Sequence, residues 1–389
     1  MNETPTHSTG TRGSTAFFTD MYELTMLDAA LKDGTAQREC IFEVFGRRLP
    51  NERRYGVVAG TERVLDAITK FRFTQDQLDS ADFLSPQARE YLANYKFSGQ
   101  IDGYREGDLY FPYSPIMTVR GTFAECVILE TVILSILNSD SAVASAASRM
   151  VSAADGRPII EMGSRRTNEQ NAVSAARATY IAGFNATSNM EASLRYGIPA
   201  SGTSAHSWTL LHVDEDGRPD EKAAFQGQID SLGVDTTLLV DTFDITKGVE
   251  NALAVAGTEL GGVRIDSGDL GIVSRRVRKQ LDEAGAFNTR IIVSSDLDEF
   301  AIAGLRGDPV DGFGVGTSVV TGSSAPTAGL VYKLVEVDGH PVAKRSSSKK
   351  SQGGAKRSLR TYRSTGVAVE ELVLPIDAAD PDTGTLSTR

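Results

Sequence analysis

From about Pro158 to Ser318, short apolar runs alternate with amphipathic stretches. Each run ends in small or acidic residues, and a helical pattern follows. "PIIEMGSRRT" precedes a helix over Asn168–Ala182, with Val173, Ala176, Tyr180 and Ile181 as its buried stripe and Thr167 and Gln170 suited to a capping box. "GFNATSN" and "IPASGTSAH" come next. "TLLVDTFD" precedes a helix that Gly257 ends, and "GGVRIDSGD" one with Leu270, Val273, Val277 and Leu281 on one face. "RIIVSSD" leads into "LDEFAIAGL", where Asp296 and Glu299 suit the cap and third position, and "DGFGVGTS" closes the series. Strand–helix units of roughly 25–30 residues mean parallel strands with crossover helices, and about seven such strands favour a closed α/β barrel over an open sheet.

The flanks carry other periods. Residues 17–117 mix helical patterns (Tyr22–Leu31, Gly60–Phe71) with strand-like "ECIFEVF" and "GQIDGY". Residues 123–138 predict one strongly apolar helix. After Pro326, "GLVYKLVEVDGHPVAKRS" alternates around an Asp-Gly turn, a hairpin signature. The expected organisation is a loose tail over 1–16, a first part over 17–117, a barrel over 118–325, and a return over 326–389 that packs on the first part.

Composition narrows the classes. The chain has 389 residues, 40% hydrophobic and 23% charged, with net charge −11. That acidity argues against nucleic acid or anionic membrane as a bulk partner, while local basic patches remain able to bind small anions. Cys40 and Cys126 make neither a disulfide framework nor a zinc pattern, which favours a cytoplasmic protein. The first sixteen residues lack a hydrophobic signal core. The most apolar stretch, Cys126 to Leu137, is interrupted by Glu130 and too short to span a bilayer.

The chemistry gathers at the ends of the apolar runs, which in a barrel share one mouth. "VRIDSGD" places Arg264, Asp266 and Gly268 within five residues. Arginine grips phosphate oxygens and a carboxylate takes sugar hydroxyls or magnesium; the alternative is an ion pair capping the next helix. "VDTFD" adds Asp241 and Asp244, as magnesium carboxylates or as helix caps. "GFGVGTS" sets Gly314, Gly316 and Thr317 at the last strand end, as a backbone nest for phosphate or a bare turn; the Gly-Lys-Ser/Thr of a nucleotide P-loop is absent. Arg165 and Arg166 stand before a helix start, suited to an anion. Arg47 and Arg48 add cations in the first part. The tract from Lys344 to Arg360, with Lys349 inside it, is either a solvated basic loop or a flexible clamp on polyphosphate. His206 ends a run of Gly, Ala, Ser and Thr; it is a base, a ligand, a nucleophile or a satisfied buried ring.

Together these pieces resemble the nicotinate phosphoribosyltransferase family of type II phosphoribosyltransferases. The matching stretches run in order over about residues 16 to 360: "TDMYELTM", "FEVFGRRLP", "EMGSRR", "AGFNATSN", "GIPASGTSAHS", "VDTFD", "GVRIDSGDL", "GFGVGTS" and "LVYKLVEVDGHPVAKRS". The resemblance implies an irregular parallel α/β barrel with a second, mainly antiparallel α+β domain built from both chain ends. It implies a homodimer with shared active sites, and a reaction that joins nicotinate to phosphoribosyl pyrophosphate with Mg2+. ATP hydrolysis would be coupled through a phosphohistidine, which matches His206. Asp266 matches the carboxylate near ribose and magnesium, with Asp241 beside it. Arg264, Thr203 and Gly268 fall with the substrate groups, and Gly314, Gly316, Thr317, Arg47, Lys344 and Lys349 with the phosphates. Tyr22 matches the aromatic that stacks on the pyridine from the neighbouring subunit, and Met162 stands where the nicotinamide-using relative has the opposite aromatic. Arg165 matches the arginine near the acid group of the base. Ala205 replaces the glutamate that precedes the histidine in that relative.

Three other readings compete, one of them a non-catalytic phosphate-ligand sensor that kept the pocket, against which an intact His206, Asp241 and Asp266 weigh. Nicotinamide as the base is disfavoured by Ser188, which stands where the amide-using relative has an aspartate; a serine hydroxyl donates to a carboxylate that an aspartate repels. A sugar-phosphate aldolase or isomerase needs a Schiff-base lysine or a metal-ligand set inside the barrel. The lysines between 158 and 325 are Lys222, Lys247 and Lys279, none at a strand end.

Overall fold

The computed structural model describes residues 14–345, 351–382 and, as backbone alone, 387–388. Lys349 and most of the expected N-terminal tail lie outside the described residues. The chain divides into two compact units, Val143–Pro326 and the remainder from both chain ends. The boundary falls inside the helix Glu130–Ala154 rather than at residue 118.

In the two-ended unit, strands β1 (Glu39–Gly46), β2 (Gly56–Val57), β3 (Gln100–Gly103), β4 (Leu109–Tyr110) and β5 (Met117–Thr122) come first. The patterns around Tyr22 and Gly60 form the helices Met21–Asp33 and Thr61–Thr69. The apolar segment expected as one helix over 123–138 is two. A short helix Phe123–Val127 is fixed by a capping box of Thr122 and Glu125, and a longer one runs over Glu130–Ala154. Apolar periodicity continues through the break at Ile128 and Leu129, both buried, so the pattern alone does not register it.

The other unit carries β6 (Ile159–Glu161), β7 (Ala186–Thr187), β8 (Thr237–Leu239), β9 (Gly262–Ile265), β10 (Arg290–Val293) and β11 (Gly312–Val315). They form one parallel sheet in the order β7-β6-β11-β10-β9-β8. A single parallel bridge from Thr187 to Ala200 adds a seventh segment. The ladder stays open between that segment and β8, which makes a half-barrel rather than a closed one. "IPASGTSAH" is rich in Gly, Ser and Pro, which do not sustain a strand, so it contributes one bridge and then a loop. Val263, Ile265, Ile291, Val293, Phe313 and Val315 are fully buried, as expected for parallel strands covered on both faces.

Two helix starts differ from expectation. Asn168, not Thr167, caps Glu169–Ile181 by accepting from the Asn171 amide at 2.8 Å. Asp298, not Asp296, caps Glu299–Gly304. In each case the residue used directly precedes the first helical residue, so its side-chain oxygen reaches an amide of the first turn.

The chain then returns through β12 (Leu330–Val337), β13 (His340–Pro341), β14 (Lys356–Tyr362), β15 (Ala368–Pro375) and β16 (Ser387–Thr388). The β12–β13 turn is Asp338-Gly339, both at positive φ (48° and 76°), the mirror-image turn that suits strand twist. β12 pairs antiparallel with β1, giving a five-stranded sheet β13-β12-β1-β5-β3 from both ends of the sequence. Among the described residues no helix is long and apolar enough to cross a membrane.

One ion pair ties β14 to β1. Glu43 is fully buried, and its Oε2 lies 2.8 Å from Lys356 Nζ, whose side chain is 9% exposed. The ammonium also donates to the carbonyls of Gln352 (3.1 Å) and Gly354 (2.7 Å), and the Lys356 amide donates to Glu43 Oε1 (2.8 Å). Burial pushes the Glu43 carboxyl up and Lys356 pulls it back. Lys356→Met leaves that carboxylate unpaired in the core and is expected to cost about 3–5 kcal/mol in urea unfolding. Adding Glu43→Gln is expected to recover at least half of the loss, and no recovery would show that the pair is not the source of the cost.

Candidate active site

The carboxyl ends of the parallel strands open on a cavity of about 670 Å³. Parallel strands put all these ends on one side, so residues far apart in sequence meet there. β6 leads to Met162, Ser164 and Arg165, and β7 to Ser188. The small-residue loop brings Ser201 to Ala205, including Thr203. β9 supplies Arg264 and Asp266. β11 ends in Gly314, Gly316 and Thr317. A Cβ on Gly314 would stand 2.7 Å from the Met162 sulfur and 3.1 Å from Ser294 Cβ, so glycine lets the thioether lie across the floor.

Asp241 is buried at the end of β8 and organises the end of β9. Its Oδ2 accepts from the Asp266 amide at 2.8 Å and from the Ser267 hydroxyl at 2.7 Å. Its Oδ1 is buried with no hydrogen-bond partner among the described residues, as are Arg264 Nε and Ser294 Oγ. Burial pulls the Arg264 guanidinium below its ordinary value, Asp266 and Asp241 oppose that, and the nearby charge of Arg165 adds to it. Arg165, Arg166, Arg264, Asp266 and Ser294 thus line one cavity, with Asp241 bonded to the Asp266 backbone. Such an arrangement suits a ligand with both anionic groups and hydroxyls.

His206 is the first residue of a short helix, and its side chain is 41% exposed. Nδ1 lies 3.1 Å from Thr242 Oγ1 and Nε2 lies 3.8 Å from Asp266 Oδ2. Thr242, a neighbour of Asp241 on the β8 exit, is therefore the residue that orients the ring, a partner that sequence reasoning did not supply. Gly268 sits in the turn before the helix Leu270–Glu283 at φ 85° and is not among the residues that line the cavity.

The remaining candidates lie in the two-ended unit. Tyr22 is 45% exposed on the first helix; burial, then Glu130, Glu23 and Asp20, push its phenol up to about 12. Arg47 keeps a buried Nε without a partner, and Lys344 is exposed. The cavity also holds residues that the motif reading passed over: Ser164, Ser201, Ser204 and the run Ser294-Ser295-Asp296 at the end of β10. Ser295 has φ 126°, a strained value for a side-chain-bearing residue. The signal was "VSSD" at a strand end, which reads equally as an ordinary helix approach.

Asp241→Ala strands the Asp266 amide and the Ser267 hydroxyl and is expected to destabilise the chain by about 2–4 kcal/mol. Asp241→Asn keeps one oxygen for those donors and is expected to cost less than half as much. Equal losses in urea unfolding would mean that Asp241 does not hold the β9 end.

The chain is similar to known proteins over most of its length. Residues 17–138 match the model of the nicotinate phosphoribosyltransferase N-terminal domain, and residues 158–366 match that of the nicotinate phosphoribosyltransferase family. The chain is 63% identical over 360 residues to nicotinate phosphoribosyltransferase pncB1 of Mycobacterium tuberculosis, covering 92% of this chain and 80% of that one. It is 38% identical to the nicotinate phosphoribosyltransferase of Bacillus subtilis, over 84% of this chain and 67% of the other. In structure it resembles human nicotinic acid phosphoribosyltransferase, with TM-score 0.78 and 27% identity over 93% of this chain and 82% of that one. A nicotinate-nucleotide pyrophosphorylase from Pyrococcus furiosus superposes with TM-score 0.79 at 25% identity, covering 100% of this chain and 91% of that one. The chain belongs to the nicotinate phosphoribosyltransferase family.

Proposed function

We propose that this chain forms nicotinate mononucleotide and pyrophosphate from nicotinate and phosphoribosyl pyrophosphate, a step of NAD biosynthesis. The observation that supports the reading is one cavity lined by Arg165, Ser188, Arg264 and Asp266, with Asp241 bonded to the Asp266 amide. Arg165 and the Ser188 hydroxyl donate to the acid group of the base. The lone pair of the pyridine nitrogen forms the new bond to ribose C1 while the C1–oxygen bond to pyrophosphate breaks and its electrons leave with the pyrophosphate. Positive charge grows on the ribose ring, and Asp266 lies where a fixed negative charge lowers that barrier. The pyridine nitrogen is already a nucleophile and needs no general base. Gly314, Gly316 and Thr317 take the 5′-phosphate through backbone donors, and Arg264 takes phosphate oxygens.

Asp266 and the unpartnered Oδ1 of Asp241 would hold Mg2+, which supplies charge neutralisation for the departing pyrophosphate when bound.

His206 would take the γ-phosphoryl group of ATP on a ring nitrogen, displacing ADP, and lose it to water. Thr242 Oγ1 at 3.1 Å from Nδ1 and Asp266 Oδ2 at 3.8 Å from Nε2 flank the ring, and an imidazole nitrogen is the nucleophile such a transfer needs. Tyr22 would stack on the pyridine ring from a second copy, in a homodimer, and Arg47, Lys344 and Lys349 would contact polyphosphate.

The direct test offers nicotinate or nicotinamide with phosphoribosyl pyrophosphate, Mg2+ and ATP and identifies the product; no mononucleotide from either base sinks the reading. Ser188→Asp is expected to lose about 2–4 kcal/mol of transition-state binding for nicotinate, read as kcat/KM. An unchanged value would place Ser188 away from the substrate acid. With γ-labelled ATP, the wild-type protein is expected to hold acid-labile, base-stable label that His206→Ala abolishes, while slow ATP-independent synthesis persists. Stoichiometric label surviving in His206→Ala would assign the phosphoryl carrier elsewhere.

A further inference from the structure

Glu161, the last residue of β6, is fully buried and makes no ion pair among the described residues. Its carboxylate is spent on two donors. One oxygen accepts from the amide of Gly163, and Oε2 accepts from the Thr187 hydroxyl at 2.6 Å. Thr187 Oγ1 accepts in turn from the Asn189 amide at 3.0 Å, and Asn189 Nδ2 donates to Ser164 Oγ at 3.0 Å. Ser164 follows Gly163 in the chain, so the ring closes. The Ser188 amide also donates to the Glu161 carbonyl at 2.8 Å.

The ring has a specific reach. Arg165 follows Ser164, and Ser188 lies between Thr187 and Asn189. The two residues offered to the acid group of the base are thus each one residue from the ring, on loops joined at the cavity rim. The β6 exit is also pressed from behind, because a Cβ on Gly163 would stand 2.3 Å from Val320 Cγ1 and 3.0 Å from the Gly316 carbonyl. A neutral side chain would satisfy one amide. A buried carboxylate costs far more to desolvate, and what it supplies is two charge-assisted bonds of fixed direction. Burial raises its carboxyl while Thr187 and Gly163 oppose that.

We propose that Glu161 is a positioning residue: its ring through Thr187, Asn189 and Ser164 fixes the spacing of Arg165 and Ser188 and so selects a base that carries a carboxylate. This rests on the reading of nicotinate as the base.

Thr187→Val is nearly isosteric and opens the ring at two bonds. Thr187→Ser keeps the hydroxyl, and Glu161→Gln keeps the shape without the charge. Steady-state kinetics with each base, and with phosphoribosyl pyrophosphate varied, read the effect. Thr187→Val and Glu161→Gln are expected to raise KM for nicotinate by roughly tenfold or more and to erode the preference for nicotinate over nicotinamide. Both are expected to leave kcat and KM for phosphoribosyl pyrophosphate within about threefold of wild type, and Thr187→Ser is expected to stay near wild type. A purely structural role lowers the melting temperature and the active fraction with both KM values unchanged, and that result overturns the proposal. Should Thr187→Val fail to fold, wild-type KM values in Glu161→Gln overturn it equally. A wild-type enzyme that uses nicotinamide and not nicotinate overturns the underlying reading and the proposal with it, an outcome visible before any variant is made.

Discussion

The side-chain bond from Asp241 to the backbone at Asp266 is the contact on which the site depends. It joins the ends of β8 and β9 at the point where the chain stops being a strand and must become a binding surface. Because Oδ2 is committed to the amide and to Ser267, Asp266 is presented at a fixed angle, and His206 and Thr242 take positions around it. The same commitment leaves Oδ1 buried without a partner. Arg264 Nε and Ser294 Oγ are likewise buried without a hydrogen-bond partner among the described residues, and a buried polar group left so costs roughly 1–3 kcal/mol. Groups held by such fixed bonds need not reorganise, which is what electrostatic stabilisation of a short-lived charge separation requires.

The same device recurs away from the cavity. Glu23 is fully buried and takes the Thr131 amide at 2.9 Å in the first turn of the helix Glu130–Ala154, which locks the helix bearing Tyr22 against it. Glu125 takes the amides of Ser98 and Thr122 at 2.9 and 3.0 Å. Glu161 takes that of Gly163. In each case an anion meets backbone N–H groups where an element begins or ends, which are the donors that secondary structure leaves over. Part of the net charge of −11 is therefore internal carpentry rather than surface field. A composition-level argument about partners has to discount these acids.

How much of this the sequence disclosed depends on the range of the interaction. The apolar runs located β6, β9, β10 and β11 because burial on both faces is a local property of the run. The caps moved by one or two residues because Thr167 and Asn168, or Asp296 and Asp298, are chemically equivalent choices, and only the backbone path from the preceding strand decides between them. Arg264 and Asp266 stood out because no other residue types do their work. Ser294, Ser295 and Asp296 did not, because serines at a strand end are common. Least legible were contacts such as Thr242 to His206 or Thr187 to Glu161. They link positions 36 and 26 residues apart through one hydrogen bond, and nothing in either local pattern marks it.

The basic tract after Lys344 shows how structure redistributes a charge argument. Read as a string, it is a dense run of cations and a plausible polyphosphate clamp. In the fold, Lys356 is consumed by Glu43, Arg357 pairs with Asp380 at 2.6 Å, and Arg360 pairs with the nearly buried Glu371 at 2.5 Å. Those three belong to β14, where alternate side chains face the unit's interior and its neighbours, so their charges are neutralised by packing. Lys344 and Arg345 precede the strand, are exposed, and pair with no acid among the described residues. Among the described residues, any attraction for a polyanion therefore concentrates at Lys344 and Arg345 rather than at β14. A charge that already has a partner must break that pairing before it contributes to binding, whereas an exposed, unpaired one contributes at the full, salt-screened Coulomb term.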